Sequence, residues 1–278
     1  MSRENVLTVP SLDQIWIYPI KSCSGIHLNS SEVEDRGFPL DRRWLLIEEN
    51  GTFISQRNSP KLGQIKISYH QDHLHITSAG KDALTLEFSA ATPTKIEAQI
   101  WKDTVQGSWI SKECDAWFSD ILNRPVRLVH MNSEVHRPLE NPALPSNRTF
   151  EVSFADGYPY LLTNQASLDD LNGRLDQPIP MDRFRSNLVV SGFEAFAEDS
   201  WKRISIGAVE FLVVKPCARC LVTTIDQESG IASKEPLKTL ATYRKQNGKV
   251  NFGMNLIALT RGVVSRGDPL DILEQDET

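Results

Sequence analysis

The chain has 278 residues, 40% of them apolar, and carries 30 Lys+Arg against 36 Asp+Glu for a net charge of −6. That length supports one large domain or two medium ones, and the acidic balance excludes general nucleic-acid or anionic-membrane binding, which needs a positive field. The N-terminal MSRENVLTVPSLDQ lacks the apolar run of a signal peptide, no stretch of about 18 apolar residues occurs, and four scattered cysteines suit a reducing compartment, so a cytoplasmic location is expected.

Between residues 13 and 110, short runs rich in Ile, Val, Trp, Phe and Leu alternate with Gly, Asn, Asp or Pro, the grammar of strands and turns. DQIWIYPI, RWLLIEENGTFISQ, QIKISYH, LHITSA, ALTLEF, KIEAQIW and VQGSWI are each expected to be strands or hairpins. In LLIEENGTFIS, Asn50 and Gly51 can take the two positive-φ positions of a type I′ turn. A helix follows in KECDAWFSDILN, with Ser111 as its N-cap and Ala116, Trp117, Ile121 and Leu122 on its apolar face. Cys114 within it reads as a small surface or core residue rather than a ligand.

VRLVHM closes a β-rich first domain, expected to span 10–131. Residues 132–149 hold three prolines and little periodicity, and are expected to form a long surface connection or lid at the start of a second domain, 132–274. There YLLT, LVVSG, RISIGAVEFLVVK, LVTTID and NFGMNLIALT read as strands, and EPLKTLATYRK as a helix. SLDDLNGRL reads as a helix opened by a capping box of Ser167 and Asp170. The expected class is mainly β with α, α+β.

KPCARCLVTT, residues 215–224, places two cysteines three apart. A structural zinc site needs four ligands, and Cys23 and Cys114 have no partners to complete one. A redox dithiol needs its first cysteine at a helix N-terminus, whereas LVTTID is strand material. A single thiolate beside Arg219 and Lys215 can bind a soft transition metal, and a plain buried strand cysteine is the alternative reading.

Two further stretches carry cations. In MDRFRSNLVV, Arg183 and Arg185 flank Phe184 before an apolar run, so both guanidinium groups are expected on one strand face, suited to phosphate or a fused heterocycle. YPIKSCSG puts Lys21, Ser22 and Gly25 on a turn after a strand ending at Pro19, an arrangement that holds an oxyanion, and PLDRRW adds Arg42 and Arg43. His70, His73 and His75 of YHQDHLHI are read as exposed strand residues without a completed ligand set.

In order along the chain, YPIKSCSG, LDRRWLLI, SLDDLNGRL, FRSNLVVSG, AEDSW, PCARCLVTTIDQESG, KEPLKTLATYR and FGMNLIA resemble the MOSC-domain molybdenum proteins. The similar group contains the mitochondrial amidoxime-reducing component and the bacterial YcbX-type proteins, and the resemblance runs from about residue 13 to 273. It implies a MOSC β-barrel domain packed with a β-rich N-terminal MOSC-associated domain. It also implies a molybdenum cofactor, a pterin whose dithiolene holds one Mo, with Cys220 as catalytic residue and metal ligand and Cys217 as a non-ligand. Lys21, Ser22, Arg42, Arg185, Ala218 and Arg219 are the implied contacts to the pterin or its phosphate. Gly157 and Asn255 fall at contact positions with residue types that differ from the mitochondrial relatives, and Arg183 joins the set on the strand-face argument.

The implied activity is two-electron reduction of small N-hydroxylated compounds, such as hydroxylamines, amidoximes or N-hydroxylated bases, to amines with release of water. YcbX-type proteins often continue into a ferredoxin domain, whereas no cysteine follows Cys220 here, so a separate iron–sulfur, haem or flavin protein is expected to donate electrons. The rival expectations are a sulfur carrier with a cysteine persulfide and a cofactor-binding or storage protein. No nucleic acid or membrane partner is expected.

Overall fold

A computed structural model describes residues 9–141 and 144–276. Residues 1–8 of the N-terminal stretch, and Pro142 and Ala143 of the proline-rich connection, lie outside the described residues. The first half contains β1 (Ser11–Ile17), β2 (Ile26–Leu28), β3 (Ser30–Val33), β4 (Trp44–Ile47), β5 (Lys66–His70), β6 (His73–Thr77) and β7 (Leu84–Glu87). It continues with β8 (Lys95–Ile100), β9 (Asp103–Trp109), helix α1 (Lys112–Leu122) and β10 (Arg127–His130). The second half holds β11 (Tyr160–Asn164), α2 (Gln165–Asn172), β12 (Leu188–Ser191), β13 (Trp201–Ile206) and β14 (Val209–Ala218). It ends with α3 (Leu237–Tyr243), β15 (Lys245–Gln246), β16 (Lys249–Ala258), β17 (Gly262–Ser265) and β18 (Leu270–Gln275). The fold is mainly β with α, as the sequence pattern predicts.

A nine-stranded sheet in the order β18-β13-β14-β16-β11-β12-β1-β2, with β15 added on β16, is the largest layer. Although β1 and β2 come first in the chain, they belong to this sheet: β1 pairs antiparallel with β12, and β3 pairs with β17. The rest of the first half forms a four-stranded sheet, β4-β10-β9-β8, and a three-stranded one, β5-β6-β7. Alternation sets their faces: in β6, Leu74 and Ile76 are buried while the histidines between them are only half-buried.

One core gathers Leu12, Ile15, Ile17, Leu188, Val190, Phe211 and Leu256 on a face of the large sheet, while Val189, Phe252, Leu168 and Leu240 bury its other face under α2 and α3. A further core joins β4 and the three-stranded sheet to α1 through Trp44, Leu74, Leu84 and Phe118. Ser111 caps α1 as expected, its hydroxyl accepting from the Cys114 N–H at 3.1 Å, and Cys114 is a core residue.

Four local expectations are corrected. At the Asn50–Gly51 hairpin only Gly51 has a positive φ, +85°, and Asn50 instead accepts the Thr52 N–H through its side chain, so the turn is not type I′. Helix α2 is capped by Asn164, one turn earlier than the Ser167/Asp170 box, because Ser167 is buried with its hydroxyl donated to Glu198. LVTTID is a 3-10 turn, Leu221–Thr224, not a strand. Thr223 and Thr224 donate their hydroxyls to the carbonyls of Cys220 and Leu221, three residues back, and these local bonds outcompete β-propensity. Finally, β6 and β7 pair His73 with Glu87, so exposed Asp72 and Glu87 both lie beside half-buried His73 on the surface, acidic neighbours that the sequence reading did not count.

Candidate functional site

The site lies where loops from both halves meet the end of β14. β14 runs beside β16 with register shifts at Val213/Lys215 and Pro216/Ala218, and such bulges re-aim the side chains that follow them. Gly253 on β16, at φ +76°, makes room: a Cβ there would meet the Leu162 carbonyl oxygen at 2.5 Å. Beyond β14, Cys220 stands at the entrance of the 3-10 turn whose threonines hold it in place.

A cavity of about 190 Å³ brings together Lys21, Ser22, Arg42, Gly157, Arg185, Ala218, Arg219, Cys220 and Asn255. Of the cofactor contacts expected from the resemblance and the strand-face argument, Arg183 alone is absent from its wall, and Gly25, Arg43 and Lys215, named from their motifs, do not line it either. The shared-face argument for Arg183 and Arg185 fails because Arg183 lies in a 3-10 turn, Met181–Phe184, and Arg185 has a left-handed backbone, so two-residue alternation does not apply. Arg183 instead braces the turn after Cys220, donating Nε to the Thr223 carbonyl at 2.9 Å and Nη1 to Asp226 at 3.2 Å.

Ser22, Arg42 and Arg185 all have positive φ, at 73°, 50° and 55°. Each left-handed residue costs roughly 1–2 kcal/mol, and strain of this kind collects where a fold aims side chains at a site. The Ser22 loop is tied across the molecule by Gln56, which donates Nε2 to the Ser22 carbonyl at 2.7 Å and exchanges two amide hydrogen bonds with Gln227.

The cations of the cavity differ in whether an acid compensates them. Lys21 donates to Asp156 and to the Phe154 carbonyl, and burial pushes its ammonium down to about 8 although Asp156 pulls the other way. Burial would raise the Asp156 carboxyl, but Lys21 and Arg57 outweigh it and hold that carboxyl well below the usual range. Arg42 is matched by Asp41 at 2.7 Å and also reaches Asn187 and the Arg185 carbonyl. Arg185 forms no ion pair among the described residues: its guanidinium lies 4.2 Å from the Tyr18 ring centroid, its Nη2 has no partner there, and burial lowers its pKa. Arg219 donates to Cys217 Sγ at 2.9 Å and to the Phe184 carbonyl, leaving its buried Nε unpartnered.

Sequence reasoning missed Arg57, Asp156 and Trp101. Arg57 donates Nη2 both to Cys220 Sγ at 3.1 Å and to Asp156 at 3.1 Å, with its guanidinium 4.7 Å from the Trp101 ring centroid. Arg57 sits in an unremarkable SQRNSP turn, 163 positions from the sulfur it meets, so nothing local marked it. Asp156 adjoins Gly157 in the ADGYPY stretch and was one residue from being named.

Chemically, this arrangement supplies one partly buried sulfur held by a guanidinium and a set of cations with donors to spare. An unpaired buried donor costs about 1–3 kcal/mol, more when charged, so Arg185 Nη2 and Arg219 Nε favour an anionic ligand with several acceptor oxygens. A phosphate-bearing pterin whose metal takes a thiolate fits this donor set: oxyanion for the guanidinium groups, soft metal for the sulfur.

Residues 9–125 match the MOSC N-terminal beta barrel domain, and residues 149–271 match the MOSC domain. The chain is 34% identical over 250 residues to mitochondrial amidoxime reducing component 2 of Bos taurus, covering 87% of this chain and 74% of that protein. It is 34% identical over 290 residues to mitochondrial amidoxime-reducing component 1 of Mus musculus, covering 98% and 85%, and 33% identical to its Homo sapiens counterpart, covering 98% and 86%. The cytoplasmic location expected from the sequence is overturned by these relatives, which are named as mitochondrial. No helix among the described residues is long and apolar enough to cross a membrane. With both domain profiles matched in order and one third of positions identical along most of its length, the chain belongs to the MOSC-domain family, alongside the mitochondrial amidoxime-reducing components.

Proposed function

We propose that this chain is a molybdenum-dependent reductase of N-hydroxylated compounds, with Cys220 as the metal ligand. The reaction is R–NHOH + 2 e⁻ + 2 H⁺ → R–NH₂ + H₂O, with electrons from a separate iron–sulfur, haem or flavin protein. The observation that carries this reading is the convergence of Cys220 with Lys21, Arg42, Arg57, Arg185 and Arg219 in one cavity, two of the guanidinium groups still holding an unpartnered buried donor. The division into an N-terminal domain, 10–131, and a MOSC domain, 132–274, is part of the same reading, as is a mitochondrial location.

When bound, the cofactor supplies a two-electron centre able to take an oxygen atom from the substrate. The chain supplies the rest. Arg185 and Arg219 offer their free donors to the oxyanion of the cofactor, while Lys21, Ser22 and Arg42 close the cavity from the other half of the molecule. Gly157, Ala218 and Asn255 line the wall and contribute backbone and small polar contacts rather than charge. Arg57 bridges the Cys220 sulfur and the Asp156 carboxylate through Nη2, which fixes the position of that sulfur. Lys21 Nζ, pushed down to about 8 by burial, can release or regain a proton near neutral pH, which suits the two protons the reaction consumes.

The test is molybdenum and pterin content of protein made in a cofactor-competent host, followed by hydroxylamine reduction with an artificial electron donor. Stoichiometric molybdenum with turnover is expected, and Cys220→Ser should abolish both. Labile sulfur without molybdenum would establish a persulfide carrier instead, and molybdenum without turnover a storage protein.

A further inference from the structure

Three strands of the first half carry a row of groups that the site at Cys220 does not use. In the sheet β5-β6-β7, Ile67, Leu74, Ile76, Leu84 and Leu86 are buried on one face. A slip of one residue would turn that apolar set to solvent, so its burial pins the register, and the register decides what meets on the outer face. There His70 lies opposite His73, and His73 opposite Glu87, one residue from each strand in a line across the sheet. Residues opposite each other on one face have Cβ atoms about 5 Å apart, within reach of one another's side chains.

The side chains use this proximity. The His70 and His73 rings stack at 5.2 Å and 25°, and His75, two residues further along the same face, brings a third imidazole to 6.2 Å from His70. Asp72, between β5 and β6, places its Oδ1 2.9 Å from His73 Nδ1. Asp72, His73 and Glu87 each offer a ligand atom within 4.8 Å of the other two. Among the described residues no lysine or arginine answers either carboxylate: Asp72 pairs with His73 alone, and Glu87 forms no ion pair. The histidine–carboxylate pair of His136 and Glu151 is different, because Arg36 already neutralises that glutamate.

Two carboxylates without a cation, with imidazoles gathered around them, are the donor set of a divalent transition ion. The carboxylates balance its double charge, and the imidazole nitrogens select zinc and its neighbours over calcium or magnesium, which take oxygen ligands. A four-coordinate zinc ion, with bonds of about 2.0–2.2 Å, holds its ligand atoms roughly 3.4 Å apart. Closing to that spacing from within 4.8 Å needs only small rotations of side chains that are exposed or half-buried.

We infer that the outer face of β5-β6-β7 is a zinc site, with Asp72, His73 and Glu87 as ligands and His70 as the fourth. None of these residues lines the cavity of Cys220, so the site is independent of the reductase reading. Its ligands come from all three strands, and an ion held there ties the strands to one another and stabilises the fold by its binding.

Calorimetric titration of the full chain with ZnCl2 tests it. One zinc per chain is expected at this site, with a thermal midpoint that rises as zinc is added. His73→Asn and Glu87→Gln should each weaken binding about tenfold or more, whereas His136→Asn should leave it within about twofold. Neither His73 nor Glu87 belongs to a core cluster, so zinc-free midpoints of their variants should stay at the wild-type value, which shows that the variants fold. Cobalt(II) in place of zinc should bind without the sulfur-to-metal charge-transfer absorption that the Cys217–Cys220 pair would give. No zinc binding by the wild type, binding that both variants keep, or cobalt held with sulfur-type absorption instead would overturn the assignment.

Discussion

Arg185 and Arg42 both lie half-buried beside Tyr18, yet among the described residues only Arg42 has an ion pair. A buried guanidinium donor without a partner, such as Arg185 Nη2, is a cost that the folded protein carries for the sake of a ligand. Arg185→Met should therefore raise the thermal midpoint of cofactor-free protein, by the equivalent of about 1–3 kcal/mol, while reducing molybdenum content after purification. A fall in both quantities would show that Arg185 is structural. His130 offers a second prediction, remote from the site. Burial, with Arg43 adding to it, pushes its imidazole down to about 4, and its Nδ1 has no partner beside the Trp44 ring. Between pH 6.5 and 4 the unfolded chain takes up a proton that the folded chain refuses. Stability should then fall as pH drops through that window, by up to about 1.4 kcal/mol per pH unit. In urea titrations at several pH values His130→Phe should flatten this slope.

At the level of elements, β14 and the turn after it show how geometry overrides propensity. Val, Thr and Ile dominate 221–225, but two threonine hydroxyls reach back to carbonyls three residues earlier and close a 3-10 turn, which leaves Cys220 at its entrance. The neighbouring strand gives way in turn. Gly253 lies so close to the Leu162 carbonyl that Gly253→Ala should destabilise the protein by more than the roughly 1–2 kcal/mol of left-handed strain, because the carbonyl must also move. Denaturant midpoints would measure this, and a change below about 0.5 kcal/mol would show that β11 and β16 are freer to separate than their pairing indicates. Elsewhere, Ser111 starts α1 as its pattern predicts and β6 and β7 alternate cleanly, but α1 buries Cys114 and Phe118 while Ala116 of its expected apolar face is exposed. Strands β17 and β18 escaped notice because each is short and largely exposed, with little alternation for a periodicity argument to detect.

Across the whole molecule, the two halves are interleaved rather than merely adjacent. β1 lies between β12 and β2, and the loop that follows it carries Lys21 and Ser22 into the cavity. Deleting residues 1–17 should strip β12 of a partner, expose its apolar edge and yield aggregated protein, measurable as loss of soluble yield and of cooperative unfolding. Soluble, cooperatively folding protein would mean that the second half closes its sheet unaided. The sequence by itself determined the β-rich class, the start of α1 and the thiolate-and-arginine motifs, because periodicity, caps and short motifs act within a few residues of one another. Which cations surround Cys220 was decided only by tertiary structure. Arg57 meets that sulfur across 163 positions and Lys21 meets Asp156 across 135, and a charge pair closed over such distances leaves no periodic trace in either stretch. The same reason explains Arg183, whose placement turned on the backbone conformation of two residues that the alternating Arg-Phe-Arg pattern could not reveal.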